Sequence, residues 1–470
     1  MRPFPGRSSL NSPPFQAPGL QDPKPNPIMG CSKELIPQHP FCMKGLPSVA
    51  TKNLADVKVS GKTVLMRVDF NVPIKDGRVA NDRRIVQALP SIRCVLDQAA
   101  RLILMSHLGR PAEKGFEADF SLRPAAEHLG VLLGKPVALG PPSVVGPELD
   151  AQVAAMKPGD VLLVENVRFH PGETMPDKAK KNPDKKLTPE QQKIHDDLVA
   201  ALAKHADVYV NDAFGTCHRK HASMYGVAKA VQAKGGPAVA GFLVEKEIRY
   251  LNEAIASPKR PLLAILGGAK VSDKIALIAN LLTKVDRILI GGAMAYTLLK
   301  AQGVRVGNSR VEEDQLQAMK ELLAKAGAKI LLPSDHVATD RFDPKAMKAG
   351  PPVRVEDVNI PDGLMGMDIG VKTVAAFCQQ IAAAGTIVWN GPMGVFELPE
   401  FAAGTKAVAA AIGDATQGGA VSIIGGGDSA AAVEQMGLDD RMTHVSTGGG
   451  ASLEYLEGKP MPPIEVLDKK

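Results

Sequence analysis

Short runs of consecutive apolar residues recur along the chain from about residue 57 onward, and stretches with helical periodicity separate them. Runs of this length are typical of parallel strands that are buried on both faces. The alternation of strands with helices predicts an α/β fold with two doubly wound parallel sheets, one in each half of the chain. The predicted strands lie at residues 63–68, 101–106, 160–165, 206–211, 261–266, 287–292, 329–333, 386–390, 420–425 and 443–447.

One long segment, residues 241–258, separates the two sets of strands. Its apolar side chains, among them Leu243, Ile248 and Leu251, recur near helical spacing, and Pro258 lies beyond its last turn. We therefore predict a helix that connects the two halves.

The sequence predicts that a second helix begins after Thr188, where Pro189 would occupy the first helical position and Gln191 would complete a capping box. This helix is predicted to run to about His205. The lysine-rich residues 178–186 before it are predicted to form a solvated loop.

The amino-acid composition limits the kinds of molecule that the protein is expected to bind. The 470 residues are 45% hydrophobic, which supports a sizeable core and two or three domains. The formal charge of +6 is mild, aromatic residues make up 4%, and no apolar run is long enough to span a membrane. We expect neither a nucleic-acid nor a membrane partner. Five cysteines without C-x-x-C spacing favour a reducing compartment over a disulfide framework or a zinc knuckle.

Residues 1–42 differ from the rest of the chain. They contain ten prolines and no apolar periodicity, so they are predicted to be a disordered or spurious extension. They lack the apolar core of a secretory signal. A transit peptide is the alternative, since Arg2 and Arg7 precede the first acidic residue, Asp22.

Basic side chains follow the predicted strands of the first half. In doubly wound sheets ligands bind beyond the carboxyl ends of the strands, so these side chains are expected to meet at one edge. Arginine binds carboxylate and phosphate through two parallel hydrogen bonds, which favours a small, multiply anionic ligand. Any one of these arginines could instead form a surface ion pair, and the histidines could be core residues. The basic residues that follow these strands include Arg84, His107, Arg110, Arg168, His170, His218, Arg219 and His221.

Glycines follow the strands of the second half. Glycine lets a phosphate approach the backbone, and a helix that starts there offers free N–H groups to it. Lys270 and Lys274 are predicted to share one face of such a helix. Asp428 could bind Mg²⁺ through oxygen, or it could cap a helix. The glycine-rich strand ends are Gly267–Gly268, Gly291–Gly292, Asn390–Gly391, Gly425–Gly427 and Gly448–Gly450.

Several nucleotide-dependent classes are disfavoured. The P-loop pattern and the H-R-D loop of protein kinases are absent from the sequence. The second strand after Gly267 ends at Gly291–Gly292 without an acid, which disfavours a dinucleotide site and hydride transfer. The first half has basic strand ends, the second half has glycine-rich strand ends, and a helix joins them. This arrangement predicts phosphoryl transfer between an anionic acceptor and a nucleotide, with the two domains closing around both ligands.

Eight segments, in order, resemble the phosphoglycerate kinase family from about Met43 to the C-terminus. The resemblance implies reversible transfer between ATP and 3-phosphoglycerate by two Rossmann-like domains joined by a long helix and a hinge. It implies a phosphoglycerate-binding domain over 43–235, to which 452–470 fold back, and a nucleotide-binding domain over 236–451. The segments are RVDFNVP (67–73), SHLGRP (106–111), ENVRFHPGE (165–173), NDAFGTCHRKHAS (211–223), LGGAKVSDKI (266–275), WNGPMGVFE (389–397), IGGGDSAAAV (424–433) and STGGGASLEYLEGK (446–459).

The resemblance also implies roles for individual residues, with Asp428 as the Mg²⁺ ligand. It further implies a monomer in the cytoplasm. The expected substrate-binding residues are Asp69, Asn71, Arg84, His107, Leu108, Gly109, Arg110, Arg168 and Arg219. The expected nucleotide-binding residues are Ala269, Lys274, Gly291, Gly366, Met367, Asn390, Pro392, Val395, Glu397, Gly426, Gly427, Asp428 and Ser429.

The acceptor carboxylate of such a reaction is already ionised, so no general base is required. Arg84 and Lys270 are the candidates to neutralise the moving phosphoryl group, assisted by the N–H groups of Gly426, Gly427 and Gly449. The insertion around 174–197 is expected to be peripheral, and the alternative is an effect on substrate access, because it follows the loop that carries Arg168. A non-catalytic anion sensor and a kinase for another carboxylate are the rival functions.

Overall fold

The computed structural model describes residues 51–182 and 184–470. The prediction for residues 1–42 lies outside this range. In the first half of the chain, six parallel strands form one sheet in the order β5-β6-β4-β1-β7-β8, and β2 and β3 form a small hairpin. The strands are β1 (Thr63–Val68), β2 (Ile74–Lys75), β3 (Arg78–Val79), β4 (Arg101–Met105), β5 (Ala138–Leu139), β6 (Val161–Leu163), β7 (Val208–Asp212) and β8 (Ala238–Ala240).

Helices cover both faces of this sheet, and a cluster of buried apolar residues lies on each face. The capping box predicted at Thr188 is confirmed: its hydroxyl accepts from Gln191 N, and Gln191 Oε1 accepts from Thr188 N. The helices are α1 (Arg83–Asp97), α2 (Arg123–Leu133), α3 (Pro147–Ala155), α4 (Met175–Ala179), α5 (Pro189–Ala203) and α6 (Val227–Ala233).

The predicted connecting helix is confirmed as α7 (Phe242–Ala256). Asp212, at the end of β7, accepts a hydrogen bond from Leu243 N at 2.9 Å and so fixes the start of the helix. One turn further along, the buried carboxylate of Glu247 accepts from His444 Nε2 at 2.8 Å and from Thr447 N at 2.7 Å. The helix is therefore tied to both halves of the chain.

The second half contains another six-stranded parallel sheet, in the order β11-β10-β9-β17-β18-β19. Its strands are β9 (Leu262–Leu266), β10 (Arg287–Ile290), β11 (Ile330–Leu331), β17 (Thr386–Asn390), β18 (Val421–Gly425) and β19 (His444–Val445). The helices that pack with it are α8 (Ile275–Leu282), α9 (Met294–Ala301), α10 (Leu316–Ala326), α11 (Val371–Ala382), α12 (Ala403–Gln417) and α13 (Gly427–Gln435).

An antiparallel sheet that the sequence pattern did not predict is inserted between β11 and α11, in the order β15-β12-β16. Only part of each strand is buried, so no continuous apolar run marks it in the sequence. The strands of this region are β12 (His336–Thr339), β13 (Phe342–Asp343), β14 (Lys348–Ala349), β15 (Val353–Val355) and β16 (Met365–Ile369).

The chain ends with α14 (Gly450–Leu456) and α15 (Pro462–Glu465). Beyond α15 it returns to the first sheet, where Asp468 O accepts from Lys52 N at 2.8 Å and Asp468 N donates to Ala238 O at 2.8 Å. Strand β8 pairs with β7 and so belongs to the first sheet, although it lies beyond residue 235. Within the described part of the chain, no helix has the length and hydropathy needed to cross a membrane.

Candidate functional site

A cavity of about 700 Å³ lies at the carboxyl edge of the first sheet. The first half of the chain contributes most of its lining, and Gly448, Gly449 and Gly450 from the second half complete it. The residues from the first half are Asp69, Asn71, Arg84, His107, Gly109, Arg110, Pro111, Glu113, Arg168, Thr174, Asp177, Lys178, Lys181, Gly215, Thr216, His218, Arg219 and His221. We call this cavity and its lining the basic pocket.

The loop after β1 and the start of α1 meet in the basic pocket. Arg84 Nη1 donates to Asp69 Oδ2 at 2.9 Å, which pairs the arginine with an almost buried carboxylate. Asn71 Oδ1 accepts from Gly109 N at 2.9 Å and joins this loop to the loop after β4. The geometry holds Arg84 at the rim, with a third of its side chain exposed.

A buried arginine that the sequence did not mark as a site residue supports the floor of the pocket. Arg67 in β1 is only 1% exposed, and its Nε donates to Ser223 Oγ at 2.9 Å. Its Nη2 lies 3.1 Å from His107 Nδ1. Burial lowers the pKa of His107 well below its usual value, and Arg67 and Arg168 lower it further. His107 is therefore neutral near pH 7 and can act as a hydrogen-bonding group.

Arg168 and Arg110 line the same cavity but differ in burial and in hydrogen bonding. Arg168 Nη1 donates to Gly109 O at 2.7 Å, and burial followed by the charge of Arg67 lowers its pKa. The Nε of Arg168 is buried without a hydrogen-bond partner in the described chain. Arg110 is exposed. Both are placed to bind an anion that enters the pocket.

The insertion around 174–197 is not wholly peripheral, and that expectation was wrong. Residues 175–179 form α4, so the loop predicted over 178–186 begins inside this helix. Asp177 on α4 lines the basic pocket. Its Oδ2 accepts from Arg219 Nη1 at 2.6 Å and from His221 Nε2 at 2.9 Å. The sequence showed no period or motif that would have placed this acid beside Arg219.

Leu108 is the expected substrate-binding residue whose side chain lies away from the cavity. It is 6% exposed and packs into the core on one face of the first sheet. Its carbonyl accepts from Asn166 Nδ2 at 2.7 Å. Leu108 therefore acts in the fold of the loop between His107 and Gly109, both of which line the pocket.

The carboxyl edge of the second sheet brings the glycine-rich strand ends together. We call the loops 267–274, 291–293, 390–397, 425–429 and 446–450 the glycine edge. A Cβ on Gly267 would lie 2.0 Å from Pro392 O, so only glycine allows this approach of the loops after β9 and β17. Gly291 packs against Met393, whose Sδ would lie 2.6 Å from a Cβ at that position.

Lys274 is buried in the glycine edge. Its Nζ donates to Gly267 O at 2.6 Å, to Asn390 O at 2.9 Å and to Asn390 Oδ1 at 2.7 Å. Burial lowers the pKa of Lys274 to about 8, although the charges of Asp428 and Asp273 oppose the shift. Asn390, another expected nucleotide-binding residue, thus contacts this ammonium through both its backbone carbonyl and its side chain.

The prediction that Lys270 and Lys274 share a helical face was wrong. Lys270 lies in the loop after β9, and Lys274 ends a single 3-10 turn, so α8 begins only at Ile275. The two glycines and the close contact with Pro392 extend this loop before the helix can start. Lys270 is consequently exposed, whereas Lys274 is buried.

The start of α13 carries the expected metal ligand. Gly426 has a φ of 89° and precedes the helix, and Asp428 is exposed in its first turn without a capping hydrogen bond. The interpretation of Asp428 as a helix cap was therefore wrong. Ser429 is buried, and its hydroxyl accepts from Gly391 N at 2.5 Å. Gly427 is exposed beside Asp428.

The remaining expected nucleotide-binding residues occupy two neighbouring segments. In β16, Gly366 packs against the ring of Tyr296, since a Cβ would lie 2.1 Å from its hydroxyl, and Met367 O accepts from Val395 N at 3.0 Å. The loop after β17 also contains Pro392, which is buried, and Glu397, which is exposed, and Ala269 is exposed after β9.

The two halves of the chain also contact each other between the start of α1 and helix α13. Arg83 in α1 forms an ion pair with Glu434 in α13, and its Nη2 donates to Val445 O at 3.1 Å. Asn81 Nδ2 donates to Glu434 Oε2 at 3.1 Å. Arg83, Asn81 and Glu434 line a second, open cavity of about 510 Å³.

The pKa of Lys274 gives a testable pH dependence. In the free protein the amine of Lys274 is mainly protonated only below about pH 8, whereas a bound phosphate favours its protonated, ammonium form. Binding of ADP therefore takes up a proton above that pH, and we expect the affinity to fall by up to about tenfold per pH unit. Calorimetric titration between about pH 7 and about pH 9.5 measures it. Lys274→Met should bind more weakly and without this slope, and a wild-type affinity that stays constant would contradict the assignment.

The fold and the site define an α/β protein that holds anionic ligands between the carboxyl edges of two parallel sheets. The family model for phosphoglycerate kinase matches residues 54–459. A phosphoglycerate kinase of Chloroherpeton thalassium is 52% identical over 419 residues, which cover 88% of this chain and 98% of that protein. One from Lactobacillus delbrueckii subsp. lactis is 50% identical over 417 residues, or 89% of this chain and 99% of that protein.

Solved structures agree with these relatives. Phosphoglycerate kinase from Coxiella burnetii superposes with a TM-score of 0.73 at 40% identity, over 88% of this chain and 98% of the other. The enzyme from Pyrococcus horikoshii OT3 gives a TM-score of 0.73 at 32% identity, with the same coverage. The chain belongs to the phosphoglycerate kinase family.

Membership of this family confirms the predicted fold class and reaction. The protein is a phosphotransferase with a carboxyl group as acceptor. It catalyses reversible transfer of a phosphoryl group between ATP and 3-phosphoglycerate, a step of glycolysis.

Proposed function

We propose that the basic pocket binds 3-phosphoglycerate and that the glycine edge binds ATP, so that the phosphoryl group moves between the two edges. The observation that carries this proposal is the mixed lining of the pocket: arginines and histidines of the first half face Gly448, Gly449 and Gly450 of the second. Phosphoryl transfer depends on positioning and on stabilisation of charge, which such a lining can supply.

The acceptor and the donor repel each other, because both the carboxylate and the γ-phosphate are negatively charged. Arg84 from the first half and Lys270 from the second are proposed to offset this repulsion, together with the N–H groups of Gly426 and Gly449. Gly449 has a φ of 49° and precedes α14, a backbone shape that glycine adopts readily. Arg110, Arg168 and Arg219 would bind the phosphate and carboxylate of the acceptor.

The residues at the start of α13 fit Mg²⁺ bound together with a nucleotide. Magnesium is usually held by one or two carboxylates and the phosphates of the substrate, not by a cage of protein ligands. Asp428 offers one exposed carboxylate beside the free end of a helix, and the described residues contain no cluster of three or more metal-binding side chains. Mg²⁺ would neutralise phosphate charge there.

The two domains are proposed to close about α7 and the contacts of Glu247. The predicted boundary at 235/236 lies too early, because β8 (Ala238–Ala240) pairs with β7 in the first sheet. The phosphoglycerate-binding domain would therefore extend to the start of α7 and include 452–470, and the nucleotide-binding domain would follow α7. We propose that the protein works as a monomer in the cytoplasm.

A metal titration tests the role of Asp428. Asp428→Ala should raise the Mg²⁺ concentration needed for half-maximal turnover by about tenfold or more, because even indirect partners of a metal site are worth about 10–100-fold. The assay couples formation of 1,3-bisphosphoglycerate from ATP and 3-phosphoglycerate to a spectroscopic signal. Asp440→Ala, which removes an exposed acid elsewhere, is the control. An unchanged Mg²⁺ requirement in Asp428→Ala would refute the assignment.

A further inference from the structure

Helix α4 and the residues that follow it form one wall of the basic pocket. Thr174, Asp177, Lys178 and Lys181 all line the cavity. On one side, Lys178 Nζ lies 2.7 Å from Glu113 Oε2, and Thr174 Oγ1 donates to the same carboxylate. On the other side, Asp177 contacts residues of the loop after β7. The helix therefore bridges two loops that also carry expected substrate-binding residues.

Asp177 fixes the orientation of Arg219. The carboxylate accepts from Arg219 Nη1 at 2.6 Å, and Arg219 Nε donates to His218 Nε2 at 3.0 Å. A guanidinium held at two of its three nitrogens has little freedom to rotate. The third nitrogen, Nη2, makes no hydrogen bond within the described chain, so it remains available to a ligand in the pocket that Arg219 lines.

The same carboxylate also fixes a buried histidine. His221 is 1% exposed, and its Nε2 lies 2.9 Å from Asp177 Oδ2. The hydrogen bond from His221, opposed by burial and assisted by Arg219, holds the pKa of Asp177 below its usual value. Asp177 is therefore ionised at neutral pH and acts as a permanent counter-charge to Arg219.

We propose that Asp177 is a positioning residue: it holds Arg219 so that the free end of the guanidinium binds an anionic group of the acceptor. This inference rests on the proposed binding of 3-phosphoglycerate in the basic pocket. The opposite role, in which Asp177 competes with the acceptor for Arg219, predicts the opposite change in affinity. Asp177 at Nη1 and His218 at Nε favour positioning, because both contacts can stay in place while Nη2 binds the ligand.

Steady-state kinetics of the full-length protein tests the proposal. In Asp177→Ala we expect the KM for 3-phosphoglycerate to rise about tenfold, the lower range for a hydrogen bond to a charged group. The kcat and the KM for ATP should change less than about twofold, since Asp177 contacts neither the nucleotide side nor the transferred group. Asp177→Asn keeps an acceptor of the same shape without the charge. Its KM for 3-phosphoglycerate should lie between the values of the wild type and of Asp177→Ala.

The matched control is Asp197→Ala in α5. Asp197 lies 2.7 Å from Lys193 on the surface, so its loss makes the same change in net charge away from the pocket. It should leave both KM values unchanged. A melting temperature that is lower in Asp177→Ala without the selective change in KM would indicate a merely structural role and overturn the proposal.

A double-mutant cycle decides whether Asp177 acts through Arg219. Asp177→Ala should raise the KM for 3-phosphoglycerate by less than about twofold in an Arg219→Ala background. A lower KM in Asp177→Ala would show competition, and a full tenfold rise in the Arg219→Ala background would show an independent role. Either result overturns the inference. If Arg219→Ala itself leaves the KM unchanged, the proposed acceptor site fails and the inference falls with it.

Discussion

Replacing Arg84 or Lys270 by alanine should lower kcat by about 10²–10³, the usual effect of removing one fixed donor that stabilises developing charge. Arg84 lines the basic pocket and is held by Asp69 at 2.9 Å, whereas Lys270 is exposed in the loop after β9. Both are expected to neutralise the phosphoryl group only while it moves. Nucleotide affinity should therefore fall only modestly in either variant.

The measurement combines the coupled assay with a separate titration of ADP binding. Arg93→Ala, on the exposed face of α1, and Lys320→Ala, on the exposed face of α10, remove the same charges elsewhere. Both controls should keep kcat near the wild-type value. A near-normal kcat in Arg84→Ala or Lys270→Ala would refute the role of that residue. So would a ligand-bound structure that holds the two side chains on surfaces that no closure can bring together.

Glu247→Ala should lower the free energy of unfolding by about 1–3 kcal/mol for each buried partner that is left without its hydrogen-bond acceptor. The side chain of Glu247 is fully buried and accepts from His444 Nε2, Thr447 N and Thr447 Oγ1. Burial alone would raise the pKa of Glu247, but the hydrogen bond and charge of His444 lower it. Alanine would leave the buried His444 and the partly buried N–H of Thr447 without their acceptor.

Urea unfolding followed by the fluorescence of Trp389 measures this loss, because Trp389 is the single tryptophan and is completely buried. Glu253→Ala removes an exposed acid from the same helix and should change the free energy by less than about 0.5 kcal/mol. Equal stability of the two variants would contradict the importance given to the Glu247 contacts.

The sequence predicted the central strands well, because a strand buried on both faces is apolar at most of its positions. Residues 63–68 and 386–390 are strands with the predicted bounds, and the other predicted runs are right to within a few residues. The short edge strand β5 and the antiparallel β12, β15 and β16 were missed. These strands have two to five residues each and are only partly buried, so they show neither a continuous apolar run nor a period.

The site was predictable in its residue types but not in its contacts. Strand ends revealed Arg84, Arg168 and Arg219, because topology alone brings them to one edge. The sequence could not show that Lys274 turns inward onto Asn390, or that Arg67 supports His107 from within β1. These contacts join residues that are 40 or more than 100 positions apart, so only the packed structure establishes them.

The return of the last residues to the first sheet has a consequence for synthesis of the chain. Thr51 pairs with Lys469, and Asp468 forms backbone hydrogen bonds with Lys52 and with Ala238 in β8. While the ribosome is still translating the second sheet, residues 468 and 469 do not yet exist, so Thr51, Lys52 and Ala238 lack these backbone partners. The first half can fold early, yet the β8 edge of its sheet gains these hydrogen bonds only after the finished polypeptide is released. A nascent chain arrested before residue 460 should therefore remain more sensitive to protease at that edge than the released protein.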